Sequence, residues 1–206
     1  VERGDVLVDR ASGTIEAVGS VPAADDTLDA SGCLVMPGLV NAHTHVSMSL
    51  LRGYADDKPL DAWLREDIWP VEAELEPADV AAGARLAAAE RIRSGTTAFA
   101  DMYFMMEAVA GVVEDVGLRA RLGHGCITVG KDDAAARADF ETGLDFAESY
   151  EGGAEGRIST MLTPHSLTTV GESFYQEYVP RARERDIPVH IHANETRAEV
   201  DPIVED

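Results

Sequence analysis

From Leu39 onward the chain repeats one pattern: a short apolar run, a polar loop, then a stretch with helical spacing. "GLVNAHTH", "GTTAFADMY", "LRARLGHGCI", "RISTMLTPHS" and "IPVHIHANE" read as five strands. Strands that alternate with helices build parallel βα units, so the fold class is α/β. Between them, "PADVAAGARLAAAERIRSG" carries Ala and Leu at helical spacing and ends on Gly95 as a C-cap. "ESFYQEYVPRARERD" reads as an amphipathic helix interrupted or kinked by Pro180, and the acidic "VGKDDAAARADFETGLDFAESYEGGAEG" as a surface helix. Ahead of Leu39, "GDVLVD", "TIEAVG" and "TLDASGCLVMPG" predict short strands joined by tight turns. A parallel array of this kind closes as a barrel or stays open as a doubly wound sheet, and periodicity does not choose. No G-x-G-x-x-G follows a strand and no G-x-x-x-x-G-K-[ST] occurs, which weakens the open, phosphate-cradling alternative.

Charge narrows the partners. Seventeen Lys+Arg against 38 Asp+Glu leave a net −21, which repels nucleic acid and anionic lipid, so neither is an expected partner. No run approaches the roughly 18 apolar residues of a membrane span, and "VERGDVLVD" lacks the basic-then-apolar order of a signal peptide. The expectation is a cytoplasmic protein. Cys33 and Cys126 lie far apart, suggest neither a disulfide framework nor a cysteine-ligated zinc site, and are expected to be small buried residues.

The histidines carry the chemistry. His43, His45, His165, His190 and His192 fall at or near the C-terminal ends of predicted strands, and His124 lies just inside one. In a parallel barrel those ends converge on one mouth, where active sites sit. Alternation along a strand puts His43 and His45 on the same face, so both can reach one divalent ion. His192, nearer the mouth than His190, is the expected third ligand, and His190 one layer lower is a hydrogen-bonded core histidine. Glu195 follows three residues later and can face the same cavity as a proton shuttle. A lone H-x-H is weak evidence for a metal; two of them at separate strand ends, with His165 ending a third, are much stronger.

Taken in order, "PGLVNAHTHVSMSLLRG", "GTTAFADMY", "TPHS" and "HIHANET" resemble the amidohydrolase superfamily. Within it the chain is similar to the methylthioadenosine/S-adenosylhomocysteine deaminases and their chlorohydrolase-like relatives. The resemblance implies a (β/α)8-type metal-dependent hydrolase barrel, with residues 37–206 supplying about the first five βα units and 1–36 part of a small β-sandwich. It implies that His43, His45 and His192 ligate one divalent metal, zinc or iron, with Glu195 as proton shuttle and His165 near the reacting carbon. Trp63 and Glu72 would line the nucleoside side of the pocket, Glu72 accepting hydrogen bonds from ribose hydroxyls. The other readings of these two, a core aromatic and a solvated acid, stay open. Where many relatives carry an arginine for the substrate, "RARLGHGCI" offers His124, and Arg137 is a weak substitute.

The implied activity is hydrolytic deamination of an adenine-type nucleoside (methylthioadenosine, S-adenosylhomocysteine or adenosine) with release of ammonia. Water adds at the amino-bearing carbon while Glu195 protonates the adjacent ring nitrogen. Alternatives are another deaminase or chlorohydrolase of the same branch, acting on guanine, cytosine or a triazine, and a truncated noncatalytic metal-binding module. The implied barrel continues for three more βα units, so the chain is expected to be a fragment that self-associates, releases no ammonia alone, and leaves room for a homo-oligomer.

Only Lys58 and Lys131 are lysines, while acids are spread throughout, the balance of a surface kept soluble in high salt. We therefore expect thermal unfolding at a higher temperature in molar KCl than in dilute buffer; equal stability in both would remove the halophilic reading.

Overall fold

The computed structural model describes residues 3–204, and the chain divides into two compact units, Val1–Pro37 and Gly38–Asp206. In the first unit, β1 (Asp5–Asp9) and β2 (Thr14–Gly19) form an antiparallel hairpin with a bulge between Leu7 and Val8. Asp9 shapes its turn by accepting from the amides of Ala11 and Ser12, an Asx turn. The expected third strand in "TLDASGCLVMPG" does not form: the segment carries no strand, and Leu28, Leu34, Val35 and Met36 are exposed. A strand needs a partner's amides and carbonyls, and among the described residues nothing pairs with this one. For the same reason Cys33 is exposed rather than buried, whereas Cys126 is buried as expected.

The second unit is an α/β layer. Strands β3 (Leu39–Thr44), β4 (Thr96–Tyr103), β5 (Arg119–Cys126) and β6 (Ile158–Thr160) lie side by side in chain order, all parallel, with β7 (Thr163–Pro164) also against β5. Sequential order without reversal is how a βα barrel grows; a doubly wound sheet would reverse direction. The fourth predicted strand is broken at Met161–Leu162. The fifth is reduced to two isolated parallel bridges, Leu162 with Val189 and Ser166 with His192.

The β3–β4 connection holds a 3-10 helix (Val46–Leu51), then α1 (Leu60–Ala62), a π-helical segment (Trp63–Ile68) and α2 (Trp69–Glu72) in one run, then α3 (Pro77–Ser94). Helix α4 (Met106–Val116) joins β4 to β5. Helix α5 (Asp133–Tyr150) and the turn-like α6 (Gly153–Gly156) join β5 to β6, and α7 (Glu172–Glu184) and α8 (Arg197–Val204) follow. Helix α3 starts on a Glu76/Asp79 capping box with Pro77 in its first turn and stops at Gly95, whose φ of 80° is the left-handed C-cap geometry expected from the sequence. Asp132 caps α5 by accepting from Ala135 N. One core packs α3 and α4 on β4 and β5, around Val109, Val113, Phe99 and Leu122. A second packs α5 and α7 around Phe140, Leu144, Leu162 and Tyr178.

The buried row on α3, Val80, Gly83, Ala84, Ala87 and Ala88, has the i, i+3, i+4 spacing of one helix face and is made of small residues. Small residues let the helix lie directly on the 3-10 segment that follows His45. A Cβ built on Gly83 would come within 2.3 Å of the Ser47 carbonyl oxygen, and Ser47 Oγ donates to Val80 O at 3.0 Å. Gly83→Ala therefore should destabilise the protein by roughly 1–3 kcal/mol through overpacking. Gly111→Ala on α4, where a Cβ meets nothing within 4 Å, should be neutral or stabilising by up to about 1 kcal/mol. Denaturant midpoints of the two variants check the contrast, and equal midpoints would contradict the close approach.

Candidate metal centre and cavity

Strand β3 runs parallel to β4 with Thr44 opposite Asp101, so His43 and His45 emerge beside the C-terminal end of β4. The turn after them is held from several directions. The Val46 amide donates to Asp101 Oδ1 at 2.7 Å, and Arg91 from the last turn of α3 donates to Thr44 Oγ1 at 2.8 Å. Asp101 is fully buried, and loss of water pushes its carboxyl up to about 7, against the pull of the Val46 amide and of Arg91.

Each imidazole is oriented by a neighbour. His45 Nδ1 lies 2.6 Å from Met102 O, and His192 Nδ1 lies 2.9 Å from His165 O. A carbonyl oxygen only accepts, so both Nδ1 atoms carry the proton and both Nε2 atoms present a lone pair. Those Nε2 atoms face each other at 3.1 Å. Two acceptors that close repel unless a cation or a proton stands between them. His43 completes the cluster, the three offering ligand atoms within 4.8 Å of one another, and its Nδ1 is 2.7 Å from His190 Nε2 with the two rings stacked. Loss of water, and then the neighbouring His45, His192 and His190 rings, pull His43 down to about 4; burial first and then nearby imidazoles also bring His165 to about 4, and burial lowers His45 against the pull of the Met102 carbonyl. Imidazoles with oriented lone pairs, each backed by a carbonyl or a second ring, suit a divalent ion of the zinc or iron class.

Beside the cluster lies a cavity of about 190 Å³ lined by His45, His165, His192, Glu195, Glu72 and Tyr103, with apolar walls from Met48, Trp63, Ile68, Trp69, Phe104 and Ile127. Trp63 thus lies on the cavity wall, with Nε1 3.4 Å from Tyr54 O. Glu72 is not a solvated acid: it is half-buried, accepts from the Tyr103 hydroxyl at 2.6 Å, and is raised above the usual carboxylate range by burial. His165 is held at Nδ1 by Thr169 Oγ1 at 2.9 Å. Glu195 sits at the exposed rim after Asn194, which takes a left-handed φ of 57°, and its amide donates to Glu199.

Two sequence candidates lie elsewhere. Arg137 is not brought to the cavity: it is exposed on α5, bound to Glu177 at 2.6 Å and Asp133 at 2.9 Å, because helix spacing turns it toward α7. His124 is tied to Asp139 at 3.0 Å, a carboxylate that also takes Lys131 and the Ile127 amide. Tyr103 and Asp101 were missed by sequence reading. Their signal was available: two polar residues at i, i+2 in the otherwise apolar "AFADMY" share one face of a buried strand.

The model of the amidohydrolase family matches residues 34–206. A 5-methylthioadenosine/S-adenosylhomocysteine deaminase of Halobacterium salinarum is 63% identical over the whole chain and 48% of its own length. A 5'-deoxyadenosine deaminase of Methanococcoides burtonii is 49% identical over 88% of the chain and 42% of its own length. Among solved structures, an adenosine deaminase from Xanthomonas campestris with bound zinc is 36% identical, with a TM-score of 0.79 over 98% of the chain and 47% of that structure. A mutant of the atrazine chlorohydrolase TrzN from Arthrobacter aurescens TC1 shares the fold at 20% identity, with a TM-score of 0.83 over 100% of the chain and 52% of that structure. The chain spans about half the length of the curated relatives it matches. With its parallel βα units, its histidines at the strand ends and a matching family model over residues 34–206, the chain belongs to the amidohydrolase family.

Proposed function

We propose that this chain is part of a metal-dependent hydrolase that deaminates an adenine-type nucleoside, with methylthioadenosine, S-adenosylhomocysteine and adenosine as the substrates to test. The observation that carries the reading is the pair of Nε2 lone pairs facing each other at 3.1 Å beside a cavity with a carboxylate at its rim. His43, His45 and His192 hold one divalent ion, zinc or iron. When bound, that ion supplies Lewis-acid activation of water.

The chain's own residues do the rest. Glu195 takes a proton from the attacking water and delivers it to the ring nitrogen next to the amino-bearing carbon; it then carries the proton of the newly added hydroxyl to the amino nitrogen, so that the carbonyl forms as the C–N bond breaks and ammonia leaves. His165, on the same cavity wall, contacts the purine near the reacting carbon. Trp63 and the apolar residues around it exclude water and pack the nucleoside. Glu72 provides acceptors for sugar hydroxyls. That last feature favours a nucleoside over guanine, cytosine or a triazine, none of which carries a diol. Arg137, held by Glu177 and Asp133 on the outer helix, takes no part in this reading.

Glu195→Gln removes the transferable proton without touching the imidazoles. In the full-length protein it should retain metal and lose ~10²–10⁴ in turnover, the usual worth of a general acid–base group. Ammonia release from the three nucleosides, measured with metal content on the same samples, checks this. Near-normal turnover would take Glu195 out of the mechanism.

A further inference from the structure

Tyr103 is the last residue of β4, and Glu72 ends the helical run that begins at Leu60. The tyrosine is 4% exposed, and the single proton of its hydroxyl is given to Glu72 Oε1 at 2.6 Å. Burial, followed by the hydrogen bond to Glu72, drives the phenol above its ordinary range, so it remains a donor. No other hydrogen bond to the Glu72 carboxylate is found among the described residues.

This arrangement settles how the carboxylate can be used. The terminal torsion of a glutamate is broad and nearly two-fold, so an unrestrained carboxylate in an apolar wall would sample many orientations. It would also be inclined to take up a proton, since burial already raises Glu72. A donor fixed by a buried ring on a strand restrains the torsion and opposes part of the effect of burial. One oxygen is tied down, and the remaining acceptor positions keep a fixed direction.

We propose that Tyr103 is a positioning residue that, by holding Glu72 Oε1, aims the rest of the carboxylate at the vicinal hydroxyls of the sugar and so sets a preference for ribonucleosides over their deoxy counterparts. The inference rests on the reading of Glu72 as the sugar-binding acid. It adds the group that makes that acid selective. The hydroxyl acts through Glu72 and not on the substrate, so its removal weakens binding of the diol and leaves the bond-breaking step alone.

The test compares adenosine with 2′,3′-dideoxyadenosine in the full-length, metal-loaded protein, using the unaltered sequence, Tyr103→Phe and Glu72→Gln. Phenylalanine keeps the buried ring, so folding is preserved. The expected result is a roughly 10-fold or greater fall in kcat/KM for adenosine in Tyr103→Phe, carried by KM, as suits loss of a hydrogen bond to a charged group. The dideoxy analogue should change far less, and Glu72→Gln should erase the preference as well. If Glu72→Gln erases the preference but Tyr103→Phe keeps it, Tyr103 has no positioning role and the inference falls while the reading of Glu72 stands. Equal losses on both substrates in Tyr103→Phe would make Tyr103 a packing residue and overturn the inference too. A preference that survives Glu72→Gln would refute the sugar-binding reading and this inference with it, and absence of turnover on both substrates by the unaltered protein would count against the deaminase reading beneath them.

Discussion

The candidate centre depends on one buried hydrogen bond, from the Val46 amide to Asp101 Oδ1 at 2.7 Å. The chain leaves β3 at Thr44 and turns at once into a 3-10 helix, so the amide just after His45 has no strand partner to meet. An unpaired buried amide costs on the order of 1–3 kcal/mol, and here a side chain from the neighbouring strand answers it. Asp101 can do so only because β4 lies parallel to β3 with Thr44 opposite it. Register, turn and ligand direction are therefore one constraint. The small-residue face of α3 closes it from outside: Gly83 lets the helix rest on the Ser47 carbonyl, and Arg91 reaches Thr44 from the same helix.

Within that frame the electrostatics favour a cation. Three imidazoles are packed together, and for His43 and His45 the surroundings oppose protonation. Opposed lone pairs on His45 and His192 have their repulsion relieved by a metal ion. The second layer matters as much as the ligands, because Met102 O and His165 O choose which nitrogen of His45 and His192 is free. The acids at the cavity differ in environment. Glu195 sits at the exposed rim, where a proton can be exchanged with water, and Glu72 is half-buried under a tyrosine hydroxyl.

Much of this was legible in the sequence. The change to strand–loop–helix repetition at Leu39, the Gly95 cap, the helix that contains Pro180 and the H-x-H at a strand end all follow from local pattern, since periodicity and caps are decided by residues close in the chain. What stayed hidden depends on distant partners. "TLDASGCLVMPG" alternates like a strand but finds no partner, so Cys33 stays exposed. "IPVHIHANE" reads as a full strand yet contributes only the bridges of Val189 and His192. Arg137 looks available for a substrate carboxylate until Glu177, forty residues away, is seen to bind it. Tyr103 reads as one more residue of a strand, because its partner Glu72 is reached only after the helical run is folded against β4.

The central claim is that His43, His45 and His192 form a metal centre, and metal analysis of the full-length protein tests it most directly. Elemental analysis after purification and dialysis should find one equivalent of zinc or iron per chain. A variant carrying His45→Ala and His192→Ala, with an unchanged circular dichroism spectrum, should lose it. Metal that remains bound in that variant, or a folded unaltered protein that takes up no divalent ion, would contradict the account.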